Sequence, residues 1–183
     1  LAKILRKMKE KRGYIDFGVD EAKILVDEKC VPTDIVLRDR GVGENMIEDF
    51  MIAANECVAT HIYFMNLPFI YRVHEYPKQE RIQNFLAFVS NLGYHVTGNI
   101  KDNKPTTVQH ILNCLKDKKE FPILSSLLLR SMQKAIYLPQ NLGHYGLASK
   151  CYTHFTSPIR RYPDTTVHRL LRTYLFNNDL SPE

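Results

Sequence analysis

From Glu44 the apolar residues Ile47, Phe50, Met51, Ala54, Val58, Ile62 and Met65 recur at steps of three, four and seven. That is the period of a long helix with one buried stripe, ended by Asn66, Leu67 and Pro68. Before it, residues 2–12 read as a short basic helix stopped at Gly13. Two β-rich runs follow, AKILVDE (22–28) and TDIVLRD (33–39), and the KCVP between them predicts an antiparallel hairpin. Beyond the long helix, FIYRV (69–73) predicts a strand with His74 and Glu75 at its exit. Pro77 is expected to open the next helix at its first position, with Ile82, Phe85, Leu86 and Val89 as the core face and Gly93 as the stop. After a polar loop over 97–106, further helices are expected at about 106–118 and 122–137, the latter closed by Pro139. A last helix starts at Pro163 and Asp164 and buries Val167, Leu170, Leu171, Tyr174 and Leu175. The predicted fold is α/β (α+β), helix-rich with a few mostly antiparallel strands.

Composition bounds this picture. The 183 residues, 44% hydrophobic and 25% charged, suffice for one domain or a large part of one. No apolar run approaches the roughly 18 residues that span a bilayer, so no membrane partner is expected. The basic, amphipathic start, LAKILRKMKEKRGY, lacks the build of a secretory signal. Cys30, Cys57, Cys114 and Cys151 lie far apart without a C-x-x-C pair. That spacing argues against a zinc site or a disulfide framework and for a reducing, cytoplasmic location. The net charge of +5 permits nucleic-acid binding, and it equally suits an ordinary solvated surface.

One stretch breaks the periodic order. Residues 140–164 hold no regular period but are dense in Gly, Pro, Ser, Thr, His and aromatics. Within them, THFTSPIRRYP (153–163) sets Thr156 and Ser157 before a rigid proline and Arg160 and Arg161 after it. Adjacent arginines point in different directions, so one can reach a phosphate while the other pairs with a local carboxylate such as Asp164. A guanidinium fork matches phosphate oxygens bidentately, which an ammonium cannot do. On composition alone, two surface arginines beside a Ser-Pro turn remain the more ordinary reading.

The segment HYGLASKCYTHFTSPIRRYPDTTVHRLL (144–171) strongly resembles the most distinctive block of the RNB catalytic domain in the ribonuclease II / ribonuclease R family. KRGYIDFGVDEAKI (11–24), MIEDFMIAANE (46–56), YRVHEYP (71–77) and LLLRSMQKAIY (127–137) fit it in order, closer to the ribonuclease R branch. The resemblance implies a processive hydrolytic 3′→5′ exoribonuclease that degrades single-stranded RNA to nucleoside 5′-monophosphates. It implies that Arg160 is the catalytic arginine beside the scissile phosphate and Glu48 the active-site glutamate near the terminal nucleotides. On a helical wheel Glu48 and Asn55 fall together at the margin of the apolar stripe, with Asp49 pointing the other way. Phe17 corresponds to an aromatic that stacks on bases at the 3′ end, although it equally suits the core. Arg72, His74 and Arg130 match family positions, and His74 by itself suits a structural role. Arg130 and Tyr137, seven apart, share one face of the predicted helix. His144, Tyr145, Tyr152, Thr156, Ser157 and Arg161 complete the expected RNA contacts.

The family's chemistry uses two metal ions, with Mg2+ implied and held by a D-P-x-D-A-x-D-D-A type cluster. Nothing like that motif occurs here, and Asp16, Asp20, Glu21, Asp27 and Glu28 lack its spacing. No metal ligand is therefore assigned in this chain. The expectation is that residues 1–183 form the C-terminal portion of one RNB catalytic domain. The aspartates, cold-shock modules and S1 module would then belong to the rest of a longer parent chain, whose remaining domains are partners alongside RNA. Two other readings stay open, a catalytically inactive RNA-binding relative and a helical interaction module.

Overall fold

Gly13 shows how closely the first helix is joined to the rest. In the computed structural model, which describes residues 1–18, 22–38, 41–96 and 103–181, α1 (Ala2–Arg12) ends on Gly13 in the left-handed conformation, φ 100°. A Cβ there would lie 2.8 Å from Thr106 Cγ2 and 3.0 Å from the Thr106 nitrogen. Only glycine can both cap α1 and admit this approach.

The elements then run β1 (Ala22–Val26), β2 (Pro32–Leu37), α2 (Val42–Met65), β3 (Tyr71–Val73), α3 (Gln79–Asn91), α4 (Pro105–Leu115) and α5 (Phe121–Ser131). β4 (Ile136–Leu138), a 3₁₀ turn (Tyr145–Leu147) and α6 (Tyr162–Leu171) follow, with a π turn over Arg172–Phe176. β1 pairs antiparallel with β2, Ile24 opposite Ile35, as the KCVP punctuation predicts. β3 pairs antiparallel with β4, Arg72 opposite Tyr137. Two apolar clusters organise the chain. One joins α3, α4 and α5 around Phe85, Ile111, Leu124 and Leu128, with Ile15 and Tyr145 at its border. The other joins α2, β3 and α6 around Ile62, Tyr71, Val73 and Val167, with Cys151 from the irregular segment.

Several expectations are corrected. On α2, Ile47 and Phe50 are exposed while Asp49 and Asn55 are buried. The buried face of this half-helix is polar because α1 and the arginine loop bring it charged and amide partners. Pro77 precedes the N-cap Lys78 rather than opening α3, and its carbonyl accepts a hydrogen bond from the Asn103 amide. α5 stops at Ser131 and Met132 is already extended. Residues 136–138 satisfy the edge of β3 instead, so Arg130 and Tyr137 share no helix face. Leu175 is exposed, because the π turn shifts the register and keeps Tyr174 inward, where its hydroxyl donates to the Pro68 carbonyl at 2.7 Å. Most of the 97–106 loop and Asp20 and Glu21 lie outside the described residues.

Candidate nucleic-acid interface

The arginine loop is held by two buried polar side chains. Asn55 of α2 accepts from the Phe155 and Thr156 backbone nitrogens at 2.9 and 3.3 Å and donates to the Tyr152 hydroxyl at 3.0 Å. Asp164, in the first turn of α6 and wholly buried, accepts from the Ser157 nitrogen at 2.7 Å and from Arg161 at 2.8 Å. Thr165 closes the turn by donating to the Pro158 carbonyl at 2.9 Å. Of the two arginines, Arg161 is thus the one pinned to Asp164. Arg160 is exposed, and among the described residues its guanidinium has no ion-pair partner. The buried Arg161 Nε and Thr156 Oγ1 likewise meet no protein partner. Buried hydrogen-bonding groups are rarely left unmatched. The exposed Arg160 gives this loop a cationic group that can meet an anion.

Behind the loop runs a chain of rings in edge contact. Tyr76 meets Tyr145, which meets His74, then His144, Tyr152, His154 and Tyr137, with neighbouring centroids 5.0–5.9 Å apart. Arg72 caps the end, 4.6 Å from the Tyr137 ring centroid. His74 Nδ1 accepts from the Gly146 nitrogen at 3.1 Å, and His144 Nδ1 from the Leu147 nitrogen at 3.3 Å. Both rings are therefore acceptors at Nδ1 and neutral. A Cβ on Gly146 would sit 3.1 Å from His74 Nδ1, so this turn too depends on a bare backbone. Tyr145 and Tyr152 are buried, at 3% and 6% exposure, and Ser157 is buried as well. Tyr145 and Ser157 support the loop from within, while Tyr152 also lines a cleft in front of it.

Burial, then the neighbouring positive and imidazole groups, pushes the His144 pKa down to about 3. Burial followed by the Arg161 charge takes His154 to about 4. Burial also lowers His74. The unfolded imidazoles take up protons below about 6.5, while the folded ones refuse them until far lower. In that window the unfolded state binds more protons, so stability falls as pH falls. Urea unfolding at pH 7, 5.5 and 4.5 should show a loss on the order of a few kcal/mol. A midpoint unchanged over that range would refute the buried neutral histidines.

In front of the loop lies a cleft of about 670 Å³. Glu44, Glu48 and Asn55 of α2 form one wall and Leu147, Tyr152 and Arg161 the other, with Tyr14 and Arg38 at the ends. Glu48 and Asn55 share this wall, as the helical wheel places them. Asp49 turns away into a buried cluster, paired with Arg6 and Lys9, each at 2.8 Å. Burial by itself would raise the Asp49 pKa, but the hydrogen bonds from Lys9 and Arg6 outweigh it and hold the carboxyl below its ordinary value. Besides Tyr152, the cleft holds the aromatic Tyr14, whose hydroxyl donates to Glu48 at 3.4 Å. Phe17, three residues on, packs against the α3–α5 cluster instead. Arg130 lies in a separate groove with Glu75, Arg81 and Lys134.

Sequence reasoning missed Tyr14 and Lys9. Tyr14 carried one usable signal, an aromatic directly after a helix-ending glycine. Lys9 carried none, standing among five other basic residues of the first helix. Among the described residues no group of three or more His, Cys, Asp or Glu side chains is placed to hold a metal ion. Nor is any helix among them long and apolar enough to cross a membrane. The four cysteines are unpaired thiols, with Cys151 buried.

The loop thus sets Arg161 at a cleft lined by Glu44 and Glu48, on a helix-rich frame. The chain belongs to the RNB domain family, which it matches over residues 1–177. It is 50% identical to Ribonuclease R 1 of Lactococcus lactis over 92% of this chain and 21% of that protein. Its fold matches Mycoplasma genitalium RNase R in complex with ribose-methylated single-stranded RNA, at TM-score 0.91 and 36% identity, over 100% of this chain and 28% of that one. It matches yeast Ssd1, a pseudonuclease, at TM-score 0.66 and 28% identity, over 79% of this chain and 18% of that one. The chain thus spans between 18% and 28% of the length of these relatives.

Proposed function

We propose that this chain is the C-terminal part of an RNB catalytic domain whose parent protein is a processive 3′→5′ exoribonuclease. That protein would act in the cytoplasm, hydrolysing single-stranded RNA to nucleoside 5′-monophosphates. The observation that carries this reading is the division of labour in the arginine loop. Arg161 is locked to buried Asp164 and keeps a spare Nε. Arg160 stays solvent-facing, able to fold onto a phosphate. A phosphodiester under attack gains negative charge, and preorganised cations beside it stabilise that charge more than the ground state. Glu48, which the Tyr14 hydroxyl supports, offers the cleft a carboxylate acceptor suited to ribose hydroxyls of the terminal nucleotides. Arg72, Arg130 and Phe17 would then serve RNA outside the cleft or support the frame.

The residues described here do not assemble a ligand set for the Mg2+ that the family resemblance implies. We assign that ion to carboxylates elsewhere in the parent protein. The full-length protein with magnesium should release 5′-mononucleotides from the 3′ end of a single-stranded RNA, whereas the 183-residue chain by itself should release none. Mononucleotides from the short chain would refute the assignment of the ligands elsewhere. No cleavage by the full-length protein would refute the hydrolase. In that event the family's other form, an inactive RNA-binding relative, takes its place, although the likeness to RNase R exceeds that to the Ssd1 pseudonuclease.

A further inference from the structure

Lys9 is a buried cation, 3% exposed, in a helix whose other lysines face solvent. Its Nζ lies 2.8 Å from Asp49 Oδ1, 3.3 Å from Glu48 Oε1 and 3.9 Å from the centroid of the Tyr14 ring. Asp49 already has a second cation, since Arg6 Nε meets its Oδ2 at 2.8 Å. Arg6 also donates to the Asn45 carbonyl at 3.2 Å, which ties α1 to the start of α2. Joining α1 to α2 through Asp49 therefore does not require Lys9. Burying an ammonium is expensive unless carboxylates surround it. Here two carboxylates do so, and one of them is the glutamate of the cleft wall.

Seen from Glu48, the geometry has a direction. Its Oε1 is held from behind by the Lys9 ammonium and by the Tyr14 hydroxyl at 3.4 Å. Burial, and then the charge of Glu48, raises the Tyr14 pKa, so the phenol remains a donor. These two contacts restrict the orientation of the Glu48 carboxylate where it lines the cleft.

We propose that Lys9 is a positioning residue that, braced by Asp49, sets the Glu48 carboxylate in the orientation in which it meets RNA. This rests on the role assigned above to Glu48, and the experiment separates the two. In the full-length protein, kcat and KM on single-stranded RNA and the unfolding midpoint are measured for Glu48→Gln, Lys9→Met, Arg6→Met and the Lys9→Met/Glu48→Gln pair. Glu48→Gln should lower kcat. Lys9→Met should lower kcat about tenfold or more, since small misplacements of site groups have effects of that size. Arg6→Met removes the other cation on Asp49 and should cost comparable stability while kcat holds. In the Glu48→Gln background, Lys9→Met should lower kcat no further.

Equal kcat losses from Arg6→Met and Lys9→Met would overturn the proposal by making both merely structural. So would additive losses in the double variant. An unchanged kcat in Glu48→Gln removes the role of Glu48 itself and the proposal with it. If Lys9→Met does not fold, Lys9→Arg keeps the buried charge but displaces its nitrogens. A lowered kcat at an unchanged midpoint then supports positioning, and a wild-type kcat overturns it.

Discussion

Arg160→Ala in the full-length protein should lower turnover about 10²–10³-fold, the cost of removing one preorganised donor from a developing oxyanion. The expectation follows from the contrast within the Arg-Arg pair. Arg161 spends an N–H on Asp164, whereas Arg160 has no carboxylate to neutralise it among the described residues. An exposed, unpaired guanidinium adds little to stability, so the unfolding midpoint should move by less than about 0.5 kcal/mol. RNA affinity should weaken far less than turnover, because uniform binding and transition-state binding are separable in kcat and KM. Arg160→Lys keeps the charge but loses the bidentate fork, and should recover only part of the loss. Single-turnover cleavage beside equilibrium RNA binding checks both. Equal losses in binding and turnover would reduce Arg160 to a general RNA contact.

Asp164→Ala should be the most destabilising single change in the arginine loop, at about 3–5 kcal/mol, the range for removing one partner of a buried ion pair. Asp164 is completely buried, and its Oδ1 alone accepts from the Ser157 nitrogen and the Arg161 guanidinium. Truncation strands both donors at once. Asp164→Asn keeps an acceptor for Ser157 but not the charge for Arg161, so it should fall between alanine and wild type. Urea unfolding of the chain measures this. A loss under about 1 kcal/mol for the alanine variant would show that water replaces Asp164 without penalty.

The α2 helix illustrates why the elements were readable and their faces were not. Seven apolar residues at helical spacing identified the helix and its end at Asn66, because local periodicity survives any tertiary arrangement. The same residues misplaced the buried face of its first half, while Val58, Ile62 and Met65 pack inward as expected. Ile47 and Phe50 stay exposed because Asp49 and Asn55 find partners 43 and about 100 residues away in the chain. Hydrophobicity patterns assume that burial belongs to apolar groups, and a satisfied polar cluster breaks that assumption. Tyr137 shows the complementary failure. The run from 122 continues helically on paper, but Ile136–Leu138 leaves it because β3 offers a hydrogen-bonding edge from 65 residues upstream.

At the site, the motif TSPIRRYP and its neighbouring histidines and tyrosines were legible as chemistry from the sequence, along with the family they resemble. Which arginine is tied and which is free depended on the side chain of Asp164. Whether the aromatics face RNA or one another depended on the ring chain from Tyr76 to Tyr137, which turns Tyr145 and Tyr152 inward. Residue type and local spacing thus determined the helices, the hairpin and the reactive vocabulary, because those follow from a few neighbouring residues. Exposure, pairing and the gathering of Tyr14, Glu48 and Arg161 around one cleft were decided only by the tertiary structure, because they depend on contacts between segments far apart in the chain.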